Sequence, residues 1–117
     1  MLSSYEIARI AVKALDSKQA RDIQILKTDK VTVLADYFII CTATSDTHGK
    51  TLADEVDKLL SEAGEPVLRR EGYRSGGWTL LDYGCVVVHI FSQDMREFYS
   101  LDRLWSDAEK LDAGELL

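Results

Sequence analysis

The segment Ala35-Asp36-Tyr37-Phe38-Ile39-Ile40-Cys41-Thr42 constrains the fold more than any other part of the chain. Its apolar run does not alternate, so a strand built from it must be covered on both faces, in the middle of a sheet. A central strand needs neighbouring strands beside it and helices or a second layer above and below. The flanking sequence offers both. Asp22 to Leu26 alternates apolar and polar side chains, the pattern of a strand. Ser4 to Ser17 places Ala8, Ala11, Val12 and Leu15 at helical spacing, with Glu6, Arg9, Lys13 and Asp16 elsewhere around the turn.

Asp46 to Ala63 carries the clearest helical pattern. Leu52, Val56, Leu59, Leu60 and Ala63 form one stripe, with Asp54, Glu55, Asp57 and Lys58 outside it. Ser45 or Asp46 suits its N-cap, and Gly64 followed by Pro66 suits its end. Pro66 to Arg70 reads as a short strand, Gly72 to Gly77 as a loop, and Trp78 to Asp82 as a strand. Tyr83-Gly84 turns the chain into a last strand, Val86 to Phe91. Met95 to Leu111 then reads as one helix or two, with Phe98, Leu101, Leu104, Trp105, Ala108 and Leu111 as its apolar contacts. The order predicts an α/β (α+β) chain: one domain over residues 1–117, with a mixed five-stranded sheet flanked by helices.

A chain of 117 residues is large enough to bury a core without staples. The longest apolar runs, Tyr37 to Cys41 and Cys85 to Val88, suit strands and are far too short to span a membrane. The N-terminal residues mix charge with apolar side chains, unlike a secretory signal, so a cytoplasmic location is expected. The two cysteines, Cys41 and Cys85, form no Cys-x-x-Cys pair and read as reduced thiols. Net charge is −6: residues 1–70 carry 10 Lys and Arg against 11 Asp and Glu, residues 71–117 carry 4 against 9. An acidic second half disfavours direct binding to a nucleic-acid backbone, which needs cations to displace counterions. It suits a basic partner, although solubility alone accounts for it.

Catalytic signatures are weak. Thr44-Ser45-Asp46-Thr47-His48-Gly49-Lys50-Thr51 ends like a phosphate-binding loop, but Thr44 stands where the first glycine belongs and Asp46 would repel phosphate. Cys41 lies in an apolar strand, where a thiol stays protonated, so pairing it with His48 or His89 makes a poor nucleophile. Two isolated His and two isolated Cys make no zinc set. Asp82 has no Asp-x-Asp partner, and one carboxylate does not hold two magnesium ions in the manner of a nucleotidyltransferase. No cofactor, metal or catalytic residue is expected.

A family resemblance rests on an ordered series of residues. Asp36-Tyr37-Phe38-Ile39-Ile40-Cys41-Thr42 is followed by Ser45, His48, Ala53-Asp54 and Glu71-Gly72. Gly77-Trp78, Leu81-Asp82-Tyr83-Gly84, Val86-Val87-Val88-His89-Ile90-Phe91, Arg96, Tyr99, Leu101 and Leu104-Trp105 complete it. From about Ala35 to Ala108 the pattern resembles the ribosomal silencing factor family, also called Iojap. One departure is Cys85, where many members carry an acidic residue. The resemblance implies a nucleotidyltransferase-like fold without the catalytic carboxylates, and a protein that is not an enzyme. It implies binding to the large ribosomal subunit through its fourteenth universal protein, sterically blocking the small subunit and repressing translation. A homodimer is implied as well.

With that role in view, Trp78, Leu81, Asp82, Tyr99 and Asp102 are the expected partner contacts, with His89 a further candidate. Along the strand Trp78, Leu80 and Asp82 face one way and Thr79, Leu81 and Tyr83 the other, and the outward face is left open by the sequence. Exposed Trp and Tyr are enriched among binding hot spots, and Asp82, Glu97 and Asp102 offer an acidic rim to a basic protein. Packing against a C-terminal helix is the plainer role for Trp78, and still more so for Trp105. Two other readings compete. One is a nucleotidyltransferase-like or hydrolytic enzyme using an Asp82/His89 cleft with Cys85; the other is a dimeric adaptor whose aromatic strand serves only self-association.

Overall fold

The two apolar strands meet side by side. In a computed structural model, which describes residues 2–28, 35–72, 77–99 and 109–116, strand β2 (Tyr37–Ala43) runs parallel to β5 (Val86–Ser92), pairing Tyr37 with Val86 and Ala43 with Ser92. These are the inner strands of a six-stranded mixed sheet of order β3-β4-β5-β2-β1-β6. Strand β1 (Arg21–Lys27) lies antiparallel to β2, while β4 (Trp78–Asp82) lies antiparallel to β5 and pairs in turn with β3 (Arg69–Gly72).

Helices α1 (Ser4–Ser17) and α2 (Asp46–Glu62) begin on serine caps: Ser3 Oγ accepts from the Glu6 amide, and Ser45 Oγ from the His48 amide. Each cap satisfies one amide that the first helical turn leaves without a carbonyl. Gly64 ends the second helix at φ +89°, where a Cβ would meet no atom within 4 Å, so the glycine serves the backbone and not the packing. Both helices lay their apolar stripes on one face of the sheet. There Ala11, Val12, Leu15, Leu52, Val56 and Leu60 meet Ile25, Ile39, Cys41, Val86, Val88 and Ile90, all buried. The other face carries a smaller cluster of Leu26, Ile40 and Phe91, with Phe38, Trp78 and Met95 packed around it.

Two expectations need correction. The sheet has six strands, because Glu109–Leu111 forms β6 along the open edge of β1, Leu111 opposite Ile25. The expected C-terminal helix over Met95 to Leu111 is described only as α3 (Gln93–Tyr99), and a short α4 (Ala113–Leu116) follows β6. An unpaired edge of β1 outweighs helical spacing at this point, and Leu111 and Leu116 still reach the main core. The second correction concerns β3, which begins at Arg69 and not at Pro66. Proline has no N–H to give the ladder, and Leu68, whose amide donates to the Asp82 carbonyl, is the first residue to reach β4.

Candidate functional site

Residues paired across a ladder share a face, so the register orders the side chains of the face that α1 and α2 leave uncovered. One row runs Glu71, Leu80, His89, Ile40, Gln24; beside it runs Arg69, Asp82, Val87, Phe38, Leu26. A third places Trp78 against Phe91 and Thr42. Trp78, Leu80, Val87 and Phe38 are half-buried, so this face offers apolar surface that is neither core nor fully solvated. A groove of about 500 Å³ lined by Arg70, Glu71, Gly72, Trp78 and Leu80 runs along its β3 side.

His89 stands at the centre. Its ring lies 5.3 Å from that of Phe38, 5.9 Å from Trp78 and 6.1 Å from Phe91, the last a parallel stack. The indole Nε1–H of Trp78 donates to Nδ1 of His89 at 3.2 Å. An indole nitrogen is a donor only, so Nδ1 is the acceptor and the imidazole proton sits on Nε2. That Nε2–H is buried and has no partner. Burial pushes the His89 pKa down from 6.5 to about 4, against a smaller upward pull from Asp82. The ring is therefore a neutral, one-sided donor at neutral pH.

Of the expected contacts, the structure brings together Trp78, Asp82 and His89 on this face. Leu81 is not among them. It is fully buried on the opposite face under the helices, as strand alternation demands once Trp78 faces outward. Asp82 is half-buried and partly occupied at home. One carboxylate oxygen accepts from the Gly84 amide at 2.7 Å, steadying the β4–β5 turn, and the other lies 3.8 Å from Arg69. The side chain of Tyr99 and all of Asp102 lie outside the described residues, as do the Glu97 side chain and Trp105.

Sequence reasoning missed Phe38, Ile40, Phe91 and Met95 as the setting of the site. Their signal was the phase of three strands taken together, which only the register supplies. It also missed why Gly77 precedes Trp78: a Cβ there would stand 2.7 Å from Met95 Cγ, so the glycine lets α3 pack close. Arg96 on the same helix donates through Nη1 to Thr42 Oγ1 at 3.0 Å and to the Asp22 carbonyl at 3.1 Å. It thereby fixes α3 over the ends of β2 and β1.

The groups behind the catalytic alternatives are engaged structurally. His48 Nδ1 accepts from the Thr44 amide at 2.9 Å, which leaves Nε2 to donate to the Lys18 carbonyl at 2.7 Å. The ring thus fills the loop that resembled a phosphate cradle and ties it to the end of α1. Cys41 is fully buried, and burial pushes its thiol up to about 12. His89 offers a cleft no exposed lone pair, since Nδ1 holds the indole and Nε2 carries the proton. Among the described residues no three His, Cys, Asp or Glu side chains group to hold a metal, and no helix is long and apolar enough to cross a membrane.

Comparison with known proteins places the chain in a family. The family model described as "Ribosomal silencing factor during starvation" matches residues 2–116. The ribosomal silencing factor of Bacillus subtilis is 39% identical over 111 residues, covering 95% of this chain and 94% of that protein. A crystal structure of a Chromobacterium violaceum protein superposes with a TM-score of 0.86 at 37% identity, covering 90% of this chain and 88% of that one. A longer mouse protein named "Mitochondrial assembly of ribosomal large subunit protein 1" is 30% identical over 81% of this chain and 43% of its own length. A match that runs through both helices and nearly every strand leaves one conclusion: the chain belongs to the ribosomal silencing factor family.

Proposed function

We propose that this protein binds the large ribosomal subunit through its fourteenth universal ribosomal protein and, by occupying that surface, keeps the small subunit from joining. Translation falls as a result. The match of the family model along residues 2–116 carries this reading. The name of the mouse relative, which speaks of the large subunit, points the same way.

The chemistry of the uncovered sheet face suits such a role. Trp78, Leu80, Val87 and Phe38 give a half-buried apolar surface, and Asp82 and Glu71, with Arg69 between them, give it a border of net negative charge. That combination favours a basic protein over RNA. Trp78 and Asp82 are the proposed contacts, with His89 beneath them. Tyr99 and Asp102 remain proposed contacts from the sequence, and Leu81 acts from below as the packing that holds β4 in place. A cytoplasmic homodimer without catalytic activity completes the proposal.

Co-sedimentation tests it. Purified protein is expected to pellet with isolated large subunits, not with small ones, and to lower the yield of joined ribosomes when both are mixed. Absence of binding to large subunits at low salt would overturn the reading.

A further inference from the structure

Buried polar groups in folded proteins are almost always hydrogen-bonded, and an orphaned donor costs stability that a plain apolar side chain would not. His89 is 5% exposed, its Nε2–H is unpartnered, and its ring lies against those of Phe38, Trp78 and Phe91, where the Trp78 indole donating to Nδ1 meets half of its polarity. The orphan lies in the middle of the sheet face that the proposed function uses.

The position of the proton is fixed. Trp78 Nε1–H occupies Nδ1, so the only bond His89 has left to make is a donation from Nε2. A side chain of this kind reads an oxygen. Its walls are unequal: Phe91 is fully buried, whereas Trp78 and Phe38 are half-buried and reach solvent. Glu71 and Asp82 stand on the same face, one beside Leu80 and the other two residues along β4, with Arg69 3.5 Å from Glu71 and 3.8 Å from Asp82. Two carboxylates against one guanidinium leave this edge net negative, which disfavours a phosphate and suits the carbonyls of a basic polypeptide.

We infer that His89 is a specificity-determining contact of this face, its Nε2–H donating to a carbonyl oxygen of a basic protein segment that docks over Trp78 and Leu80. The inference rests on the proposed function for the identity of the target. It adds the group that selects and the atom it selects. Trp78 then has two duties: it supplies apolar contact, and it holds His89 in the tautomer that donates from Nε2.

The test compares His89→Gln, His89→Asn and His89→Phe for binding to isolated large ribosomal subunits, and in parallel to naked large-subunit RNA. Glutamine places an amide N–H near the position of Nε2, asparagine near that of Nδ1, so the two differ in reach and hardly in polarity. Glutamine is expected to bind within about threefold of the parent chain, and asparagine and phenylalanine about tenfold more weakly. His89→Phe removes the unpartnered Nε2–H together with the acceptor of the Trp78 indole, so its unfolding temperature should stay within a few degrees of the parent, which separates lost contact from lost structure. Equal binding by glutamine and asparagine variants overturns the assignment, and so does parent-like binding by phenylalanine. Naked RNA bound as tightly as the subunit overturns the protein acceptor. Failure of the parent chain itself to bind large subunits overturns the functional reading, a result distinct from parent binding with indifferent variants.

Discussion

The two faces of the sheet are built to different rules. Under α1 and α2, side chains such as Leu81, Val88 and Ile39 are fully buried among other apolar groups. On the opposite face, Leu26, Ile40 and Phe91 are as deeply buried, yet they support a layer of half-buried rings around a histidine with an unmet hydrogen bond. Among the described residues each face holds one buried side-chain polar atom without a partner, the Tyr83 hydroxyl under the helices and His89 Nε2 on the other side. What sets the second face apart is the half-buried apolar surface around its orphan, which the first face, covered by α1 and α2, does not present.

The sharpest way to break this contrast is to truncate neighbours on β4 that point in opposite directions. Leu81→Ala should cost about 2–5 kcal/mol in urea unfolding, because a cavity opens in a packed core. Leu80→Ala should cost under about 1 kcal/mol by the same measurement, as expected for a half-exposed position. Similar costs at both sites would erase the distinction between the faces.

Next in size is the response to acid. As pH falls through 6.5 the unfolded chain protonates His89, whereas the folded chain holds it neutral down to about 4. The contribution of His89 is therefore complete above about pH 6.5 and is lost as pH falls towards 4, a change on the order of 2–3 kcal/mol. Denaturant titrations across that range should show a flatter profile for His89→Phe than for the parent. Parallel profiles would mean that the ring is not held neutral.

Trp78→Ala should weaken binding to the large subunit by about 2 kcal/mol, roughly 30-fold, while the far-ultraviolet circular dichroism stays that of the parent. Intact binding by the folded variant would remove the indole from the interface. A smaller loss, of stability only, is expected at the turn that joins β4 to β5. Gly84 holds φ +84°, and Gly84→Ala should cost about 1 kcal/mol in thermal unfolding, chiefly from backbone strain, with the added Cβ also 3.3 Å from Leu68 Cδ1.

Much of the fold was legible because its signals are local. The Ser45 cap, the Leu52-Val56-Leu60 stripe and Gly64 mark α2 within a few residues of one another, and the apolar run of β2 announces burial on both faces. Strand β6 was not legible, since Glu109–Leu111 becomes a strand only because β1 presents an unpaired edge far away in the chain. The site divided along the same line. Alternation separates Trp78 from Leu81 without any structure, but which of them faces outward depends on where α1 and α2 pack. Nothing near His89 in the sequence reveals that Trp78 takes its Nδ1, because that bond follows from the antiparallel register of β4 on β5.

The parallel pairing of β2 with β5 has a consequence in time as well as in space. The β1–β2 and β4–β5 pairs are local antiparallel hairpins, whereas β2 and β5 must find each other across α2 and the whole β3–β4 segment. Long-range parallel pairing is intrinsically slow, so this seam is expected to close after the hairpins on either side of it. Phe38 and Ile40 belong to one bank of the seam, and Trp78, His89 and Phe91 to the other. A half-folded chain therefore holds only half of the proposed docking face, and competence to bind is expected to arrive only when this long-range parallel seam closes.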